Sequence, residues 1–206
     1  MCVIGMSGSG KTFFLKNLAG KQAVAGRSVF IIDWNGEYAG TIAYFYGTEY
    51  KINNRDEIKK LIDEVGVPLH QAGLSSVNLS GMRNGAERRL AARDILSTIA
   101  GELGEAPSWR GVQKTLILDE AWKVLEGNEL STLFREGRKY GMGIVIASQT
   151  ASDLSEDIIS NCATAVMFRL QSAGDFSMLL DTRIIDGNAA NMLSTMHRGS
   201  CMIAVA

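Results

Sequence analysis

The segment Gly5-Met6-Ser7-Gly8-Ser9-Gly10-Lys11-Thr12 fits the pattern G-x-x-x-x-G-K-[ST] at every position. It follows a short apolar run and precedes a helical pattern, which is the context in which such a segment surrounds phosphate oxygens with backbone N–H groups. The partial positive charge at the start of the helix adds to this attraction. We expect Lys11 to reach the β- and γ-phosphates of ATP and the Thr12 hydroxyl to bind Mg²⁺. The loop residues expected to line this site are Gly5, Ser7, Gly8, Ser9 and Gly10.

Two adjacent carboxylates, Asp119 and Glu120, follow the apolar run Thr115–Leu118. An aspartate at the end of a strand beside a phosphate loop can hold Mg²⁺. A glutamate directly after it can act as a base on the water that attacks the γ-phosphate. Because nucleotide binding alone needs no such base, the pair predicts ATP hydrolysis.

Further polar side chains follow the run Gly143–Ala147 or precede it. Gln149 comes shortly after this run and is expected to contact the γ-phosphate or the attacking water; the alternative is a glutamine that caps the next turn. Arg135, Arg138 and Lys139 have the spacing i, i+3, i+4, which predicts one basic helical face. That face can supply an arginine finger to a neighbouring subunit or contact a nucleic-acid backbone, and a solvated charged surface is the alternative.

The segment from Asp33 to Tyr50 is rich in aromatic residues and begins with an Asp-x-x-Gly pattern, as in the switch of GTPases. A GTPase also needs Asn-Lys-x-Asp after a later strand, where Ser148-Gln149-Thr150 stands instead, so we exclude that class. Six aromatic residues lie within residues 34–50. Packing in the core or at a subunit interface is favoured for them over stacking on nucleic-acid bases.

The composition of the 206 residues is that of a globular protein, with 46% apolar and 21% charged residues. The net charge of −1 excludes a histone-like nucleic-acid binder, so DNA contact requires a local basic patch or a symmetric assembly. The three cysteines show neither a disulfide framework nor a zinc spacing, and we interpret His70 and His197 as structural or surface residues. Together with the lack of a membrane-spanning pattern, this predicts a reducing, cytoplasmic location.

Short apolar runs alternate with helical patterns along the whole chain. Because most of these runs are apolar throughout, they predict strands that are covered on both faces, hence an α/β fold with a mainly parallel sheet and helices on both faces. We assign one domain to residues 1–206. The predicted strands are Cys2–Met6, Ser28–Ile32, Ser76–Leu79, Thr115–Leu118, Gly143–Ala147, Ala163–Phe168 and Cys201–Val205, and the predicted helices are 11–24, 55–64, 86–103, 129–139, 153–160 and a broken 174–195.

Five segments in this order, GMSGSGKT, IIDWNGEY, LILDEAW, REGRKYGMGIVIASQ and ISNCATAVMFRL, resemble the HerA/FtsK superfamily of P-loop ATPases. The resemblance points in particular to HerA-like DNA translocases and to the ATPases of type IV secretion and conjugation. It implies a RecA-like core, a homo-hexameric ring with ATP between subunits, and double-stranded DNA in the central channel. It also implies a nuclease or a secretion channel as a partner.

By this resemblance, Lys11 and Thr12 match the phosphate and Mg²⁺ ligands, Asp119 the metal-associated aspartate, Glu120 the catalytic glutamate and Gln149 the sensor glutamine. Arg138 is the expected trans-acting finger, with Arg135 as the alternative. The basic residues expected at the channel wall are Arg83, Arg88 and Arg89, for which a solvated helix face is the alternative.

The flanking β-barrel and the carboxy-terminal arm of HerA-type proteins have no counterpart in this sequence. We therefore expect a motor core trimmed of these parts, which can be monomeric by itself. Three alternatives to a DNA translocase in DNA processing remain open: a compact viral packaging ATPase, a motor for export of protein or nucleoprotein, and a small-molecule kinase.

Overall fold

The computed structural model of the chain describes residues 1–69, 72–103, 111–123 and 129–205. The strands in this part of the chain are β1 (Cys2–Ile4), β2 (Ser28–Asp33), β3 (Thr48–Lys51), β4 (Gly73–Asn78), β5 (Lys114–Leu118), β6 (Met142–Ser148), β7 (Thr164–Met167) and β8 (Met202–Val205). The helices are α1 (Lys11–Val24), α2 (Ala39–Tyr44), α3 (Arg55–Val65), α4 (Gly85–Glu102), α5 (Glu129–Glu136), α6 (Glu156–Ser160), α7 (Ala173–Asp181) and α8 (Gly187–Thr195), with short 3₁₀ turns at Ala121–Lys123 and Gly137–Tyr140.

The described strands form one sheet in the order β3-β4-β2-β5-β6-β1-β7-β8. All neighbouring strands are parallel except β7 and β8, which are antiparallel. The predicted α/β fold with a mainly parallel sheet is thus confirmed. Because β1, β6, β5 and β2 are consecutive in the sheet and run in the same direction, the loops after them meet at one edge, where α/β proteins bind their ligands.

Residues of each central strand point alternately to the two faces of the sheet. In β1, Val3 packs with Leu15 and Ala19 of α1, whereas Cys2 and Ile4 belong to the core on the opposite face. The core that contains Val3 also includes a residue of α2, and the core that contains Cys2 and Ile4 is covered by helices α3 to α8. Helices therefore cover both faces, as predicted, which explains why the strands are apolar throughout.

Strand β3 and helix α2 were not predicted. Strand β3 lies at the edge of the sheet, and its sequence Thr-Glu-Tyr-Lys is partly exposed, so it lacks the apolar run by which the other strands were predicted. Strand β4 begins at Gly73, three residues before the predicted strand, because polar Ser75 is buried with its hydroxyl donating to the carbonyl of Pro68 at 3.2 Å.

The predicted helix 129–139 is shorter in the structure. Helix α5 ends at Glu136, and the chain continues as the 3₁₀ turn Gly137–Tyr140 before Gly141 adopts a left-handed conformation with φ 70°. Glycine is a poor helix former, so the helix does not continue through Gly137. The prediction that Arg135, Arg138 and Lys139 share one continuous helical face is therefore wrong.

The predicted break within residues 174–195 is confirmed, because α7 and α8 are separate helices. Among the described residues, no helix combines the length and the apolar character that crossing a bilayer requires.

Candidate functional site

The glycine-rich loop joins β1 to α1 and turns tightly around the start of the helix. Gly8 and Gly10 have φ values of 73° and 121°, which other residues adopt only with strain. A Cβ atom at Gly5 would lie 2.6 Å from the Cβ atom of Phe168, so this position also requires glycine. The loop conformation is thus a consequence of its glycines.

Lys11 lies against this loop, where its ammonium group donates to the carbonyl oxygens of Gly5 at 2.5 Å and Met6 at 3.2 Å. Burial lowers the pKa of Lys11, and the nearby carboxylates of Asp119 and Glu120 partly offset this effect. The Ser9 hydroxyl oxygen is buried and has no hydrogen-bond partner among the described residues. A buried cation and an unsatisfied hydroxyl in one loop fit an anionic ligand such as a polyphosphate.

Asp119 follows β5, and its carboxylate meets two hydroxyl groups that are distant in sequence. Its Oδ2 atom accepts hydrogen bonds from the Tyr38 hydroxyl at 2.9 Å and the Thr12 hydroxyl at 3.5 Å. Burial raises the pKa of Asp119, while the hydrogen bond from Tyr38 lowers it. The structure therefore brings together Thr12 and Asp119, the two predicted Mg²⁺ ligands, and hard oxygen atoms of this kind fit that ion.

Glu120 and Gln149, predicted separately as the base and as a group that contacts the γ-phosphate or the attacking water, lie next to each other in the structure. The Gln149 amide nitrogen donates to Glu120 Oε1 at 3.0 Å. Glu120 itself has a left-handed backbone with φ 58°, a conformation that costs non-glycine residues free energy and is typical of functional turns.

Lys123 was missed by the sequence analysis. Its ammonium group lies 3.9 Å from Glu120 Oε2, and the two side chains are only 18% and 12% exposed. Burial lowers the pKa of Lys123, and the charge of Glu120 raises it again in part.

Asp33 at the end of β2 organises the next loop. Its Oδ1 atom accepts from the backbone N–H groups of Asn35, Gly36 and Glu37, and its Oδ2 atom accepts from that of Tyr38. Burial raises the pKa of Asp33, and the four hydrogen bonds lower it. The aspartate of the Asp-x-x-Gly pattern thus holds the backbone that positions Tyr38, a role that the sequence did not reveal.

Glu37, which follows Gly36, is exposed. Its charge raises the pKa of Lys11 and that of Asp119, so Glu37 lies at the same site.

The arginines predicted as a trans-acting finger or as DNA contacts lie in α4 and α5 or in the segments next to them. Arg135 and Arg138 are exposed, at the end of α5 and in the turn after it. Arg83 and Arg89 are exposed before and in α4, whereas the Arg88 guanidinium lies 5.2 Å from the Trp34 ring centre and donates to the carbonyl oxygen of Met82 at 3.1 Å. These internal contacts compete with the predicted role of Arg88 in binding DNA. His197 is exposed, and His70 lies outside the described residues.

Comparison with protein families gives two matches that together cover most of the chain. Residues 89–204 match the AAA-like domain, and residues 1–69 match the central domain of the helicase HerA. The chain belongs to the HerA/FtsK-like P-loop ATPases. The site described above is accordingly the candidate nucleotide site of this P-loop NTPase.

Curated relatives of this HerA/FtsK-like protein are distant and much longer. It is 31% identical over 70 residues to the DNA double-strand break repair helicase HerA of Sulfolobus acidocaldarius, a match that covers 34% of this chain and 14% of that protein. The helicase HerA of Saccharolobus solfataricus is 28% identical over 95 residues, which are 42% of this chain and 19% of the relative. The chain thus spans less than a fifth of either relative.

Solved structures share the fold over almost the whole chain. VirB4 of Thermoanaerobacter pseudethanolicus has a TM-score of 0.74 at 13% identity, over 99% of this chain and 86% of that one. The DNA-packaging ATPase B204 of Sulfolobus turreted icosahedral virus has a TM-score of 0.68 at 18% identity, over 99% and 91%. The bacterial conjugative coupling protein TrwB has a TM-score of 0.67 at 12% identity, over 100% and 81%. B204 of the related virus 2 was solved with ATP-γS.

Proposed function

We propose that this chain is the core of a motor that hydrolyses ATP and uses the free energy to move double-stranded DNA. The observation that carries the proposal is the contact between Gln149 and Glu120, directly beside the pair formed by Thr12 and Asp119. A nucleotide-binding scaffold needs no positioned base, and a small-molecule kinase transfers the phosphoryl group to another acceptor than water. The site therefore supports a hydrolase.

In the proposed mechanism, Lys11 and the amides of the loop hold the β- and γ-phosphates of ATP. Thr12 and Asp119 would hold Mg²⁺, which would neutralise the negative charge that develops on the phosphate oxygens. Glu120 takes a proton from water while the water oxygen forms a bond to the γ-phosphorus. The bond between that phosphorus and the oxygen that bridges it to the β-phosphate breaks, and ADP and inorganic phosphate are released. Gln149 holds the Glu120 carboxylate through its hydrogen bond and thereby orients the base.

The variant Glu120→Gln tests the assignment of the base. We expect ATP binding to persist and turnover to fall by about 10²-fold or more, since general bases contribute on this scale. Glu136→Gln, at an exposed glutamate at the end of α5, is the matched control. Full turnover in Glu120→Gln would contradict the proposed role.

We propose that the working assembly is a homo-hexameric ring and that Arg138 reaches the γ-phosphate bound to the neighbouring subunit. The exposure of Arg138 supports this proposal, because a finger must leave its own subunit; Arg135, also exposed, is the alternative. We expect Arg138→Ala to lower turnover by about 10³-fold or more under conditions in which rings form, and Arg135→Ala serves as the comparison. Equal loss in a proven monomer would place Arg138 within its own site.

Double-stranded DNA is the proposed substrate because the curated relatives are named as DNA repair helicases and B204 as a DNA-packaging ATPase. Arg83 and Arg89, and Arg88 if it leaves its internal contacts, are proposed to face the DNA. The similarity to VirB4 and to the conjugative coupling protein TrwB favours a second candidate, a motor for conjugative transfer or secretion. A nuclease would be the partner in the first case and a secretion channel in the second.

The deciding experiment measures ATP turnover with and without linear double-stranded DNA, together with particle mass by light scattering. Turnover that DNA stimulates in a hexamer, with a stimulation that falls as salt rises, would support the translocase. Turnover in a hexamer that ignores DNA would favour the export motor. The absence of any turnover, in rings with Mg²⁺ present, would refute both candidates.

A further inference from the structure

Asp175 carries a buried carboxyl group that the proposed mechanism does not use. It lies in the first turn of α7 and is only 2% exposed. Removing such a group from water costs free energy unless nearby polar groups compensate for the lost hydration. The partial positive charge at the start of α7 provides part of this compensation. Further compensation comes from the loop that follows β6.

A single oxygen atom of Asp175 holds that loop. Its Oδ1 atom accepts hydrogen bonds from the backbone N–H groups of Ala151 at 2.7 Å and Ser152 at 3.2 Å, and from the Ser152 hydroxyl at 3.5 Å. Ala151 is fully buried, so its N–H group depends on an acceptor within the protein. Asp175 is that acceptor, and it ties α7 to the loop.

The same loop carries Gln149, and we call residues 148–153 the sensor loop. Its two ends are joined, because the Ser148 hydroxyl donates to Asp153 Oδ2 at 2.9 Å. Asp175 fixes the part between these ends. Gln149 itself is exposed, so its surroundings do not hold its side chain by packing, and the course of the loop decides whether its amide reaches Glu120.

The loop on the other side of β5 is built in a similar way. Strand β5 lies between β2 and β6 in the sheet. Asp33 holds the loop after β2, and that loop places the Tyr38 hydroxyl beside Asp119. Both neighbours of the acidic pair are thus loops held by a buried aspartate. The second aspartate, Asp175, comes from a helix that is distant in sequence and not from the strand before its loop.

We propose that Asp175 is a positioning residue for ATP hydrolysis, which holds the sensor loop so that Gln149 reaches Glu120. The inference rests on the proposed function, because it gives Asp175 a part in orienting the base. A misplacement of about 1 Å at an active site can lower a rate by about 10²-fold. Asp175 belongs neither to the phosphate loop nor to the predicted Mg²⁺ ligands, so its loss should change turnover rather than ATP binding.

The test is a double-mutant cycle of Asp175→Ala and Gln149→Ala, with kcat and KM for ATP measured in each variant. We expect Asp175→Ala alone to lower kcat by about 10- to 100-fold and to leave KM nearly unchanged. In the Gln149→Ala background the same change should have almost no further effect, because the group that Asp175 positions is already absent. The matched control is Asp181→Ala, which removes an exposed carboxylate from the same helix and should keep the wild-type kcat.

Asp175→Asn is a milder variant that keeps a side-chain oxygen in the place of Oδ1. Its amide oxygen can accept the same hydrogen bonds, but bonds to a charged acceptor are about twice as strong. The kcat of Asp175→Asn should therefore lie between those of the wild type and Asp175→Ala. The remaining loss should also vanish in the Gln149→Ala background, so this variant carries the test if Asp175→Ala does not fold.

The outcomes separate this inference from the proposed function. Losses of kcat that multiply in the double variant would show that Asp175 acts independently of Gln149 and would overturn the positioning role. A wild-type kcat in folded Asp175→Ala would also overturn it, and so would the failure of both Asp175 variants to fold. Full turnover in Gln149→Ala would refute the role of Gln149, and this inference with it, in a chain that is still a hydrolase. The absence of turnover in the wild type would refute the proposed function itself.

Discussion

The variant Tyr38→Phe removes one oxygen atom from the centre of the site. The ring of Tyr38 is fully buried, and its hydroxyl donates to Asp119 Oδ2 at 2.9 Å. The Thr12 hydroxyl reaches the same oxygen at 3.5 Å. Because phenylalanine keeps the buried ring, this change tests the hydrogen bond rather than the packing.

The size of the effect follows from the charge and burial of the acceptor. A hydrogen bond to a charged group contributes about 1.5–3 kcal/mol, which corresponds to about a 10- to 100-fold change in an equilibrium that depends on the carboxylate. Burial raises the pKa of Asp119 and the Tyr38 hydroxyl lowers it, so loss of the hydroxyl raises this pKa further. Protons then compete more strongly with Mg²⁺ for Asp119. We expect the Mg²⁺ concentration for half-maximal turnover to rise by about tenfold or more, and most strongly at acidic pH.

The assay is a Mg²⁺ titration of ATP turnover at several pH values, with ATP binding measured separately in the presence of a chelator. Binding without Mg²⁺ should match that of the wild type, because Lys11 and the loop amides are unchanged. Tyr50→Phe in β3 is the matched control, since it removes a tyrosine hydroxyl at the edge of the sheet, and its Mg²⁺ titration should not change. A wild-type Mg²⁺ titration in folded Tyr38→Phe would refute the argument that Tyr38 prepares Asp119 for the metal.

Two further predictions concern carboxylates of the candidate site, of which Asp33 is buried and Asp119 is partly buried. Asp119→Asn should abolish Mg²⁺-dependent turnover but raise the melting temperature of the unliganded protein at neutral pH. The folded-state pKa of Asp119 is raised above its unfolded value, so the wild type gains stability as pH falls. The difference between the two melting temperatures should therefore close toward acidic pH. A gap that does not depend on pH, in melting curves recorded at several pH values, would contradict this. Asp33→Ala leaves four backbone N–H groups without their acceptor and should lower the free energy of unfolding by about 3 kcal/mol or more in urea titrations, whereas Asp56→Ala, at an exposed ion pair, should change it by no more than about 0.5 kcal/mol. Equal effects of these two alanine variants would show that Asp33 does not hold its loop.

Much of the fold and part of the site could be predicted because they follow from local patterns. The phosphate loop is formed by consecutive residues, which include its glycines, Lys11 and Thr12. The apolar runs of the central strands reflect burial on both faces of the sheet. Asp119, Glu120 and Gln149 lie at the ends of such strands, so the parallel sheet predicts that they share one edge, and the structure brings them together.

Other parts have no local signal. Strand β3 is paired on one side only and keeps polar, partly exposed residues, so its sequence does not resemble that of a buried strand. The charge spacing of Arg135, Arg138 and Lys139 favours a helix that continues past Glu136, but α5 ends there because Gly137 is a poor helix former. Lys123 was missed because a lysine after an acidic pair is common on surfaces, and only its burial beside Glu120 distinguishes it.

The sequence by itself determined the class of fold, the phosphate loop and the acidic residues that follow β5, because each depends on residues that are close along the chain. Only the tertiary structure decided which of the six aromatic residues in 34–50 contacts the site. Tyr38 meets Asp119 across 81 residues because β2 and β5 are paired in parallel, with Ile32 beside Leu118, and Asp33 then turns the loop after β2 toward the loop after β5. Strand pairing over such a separation is set by the packing of the whole sheet, and no spacing within the sequence encodes it.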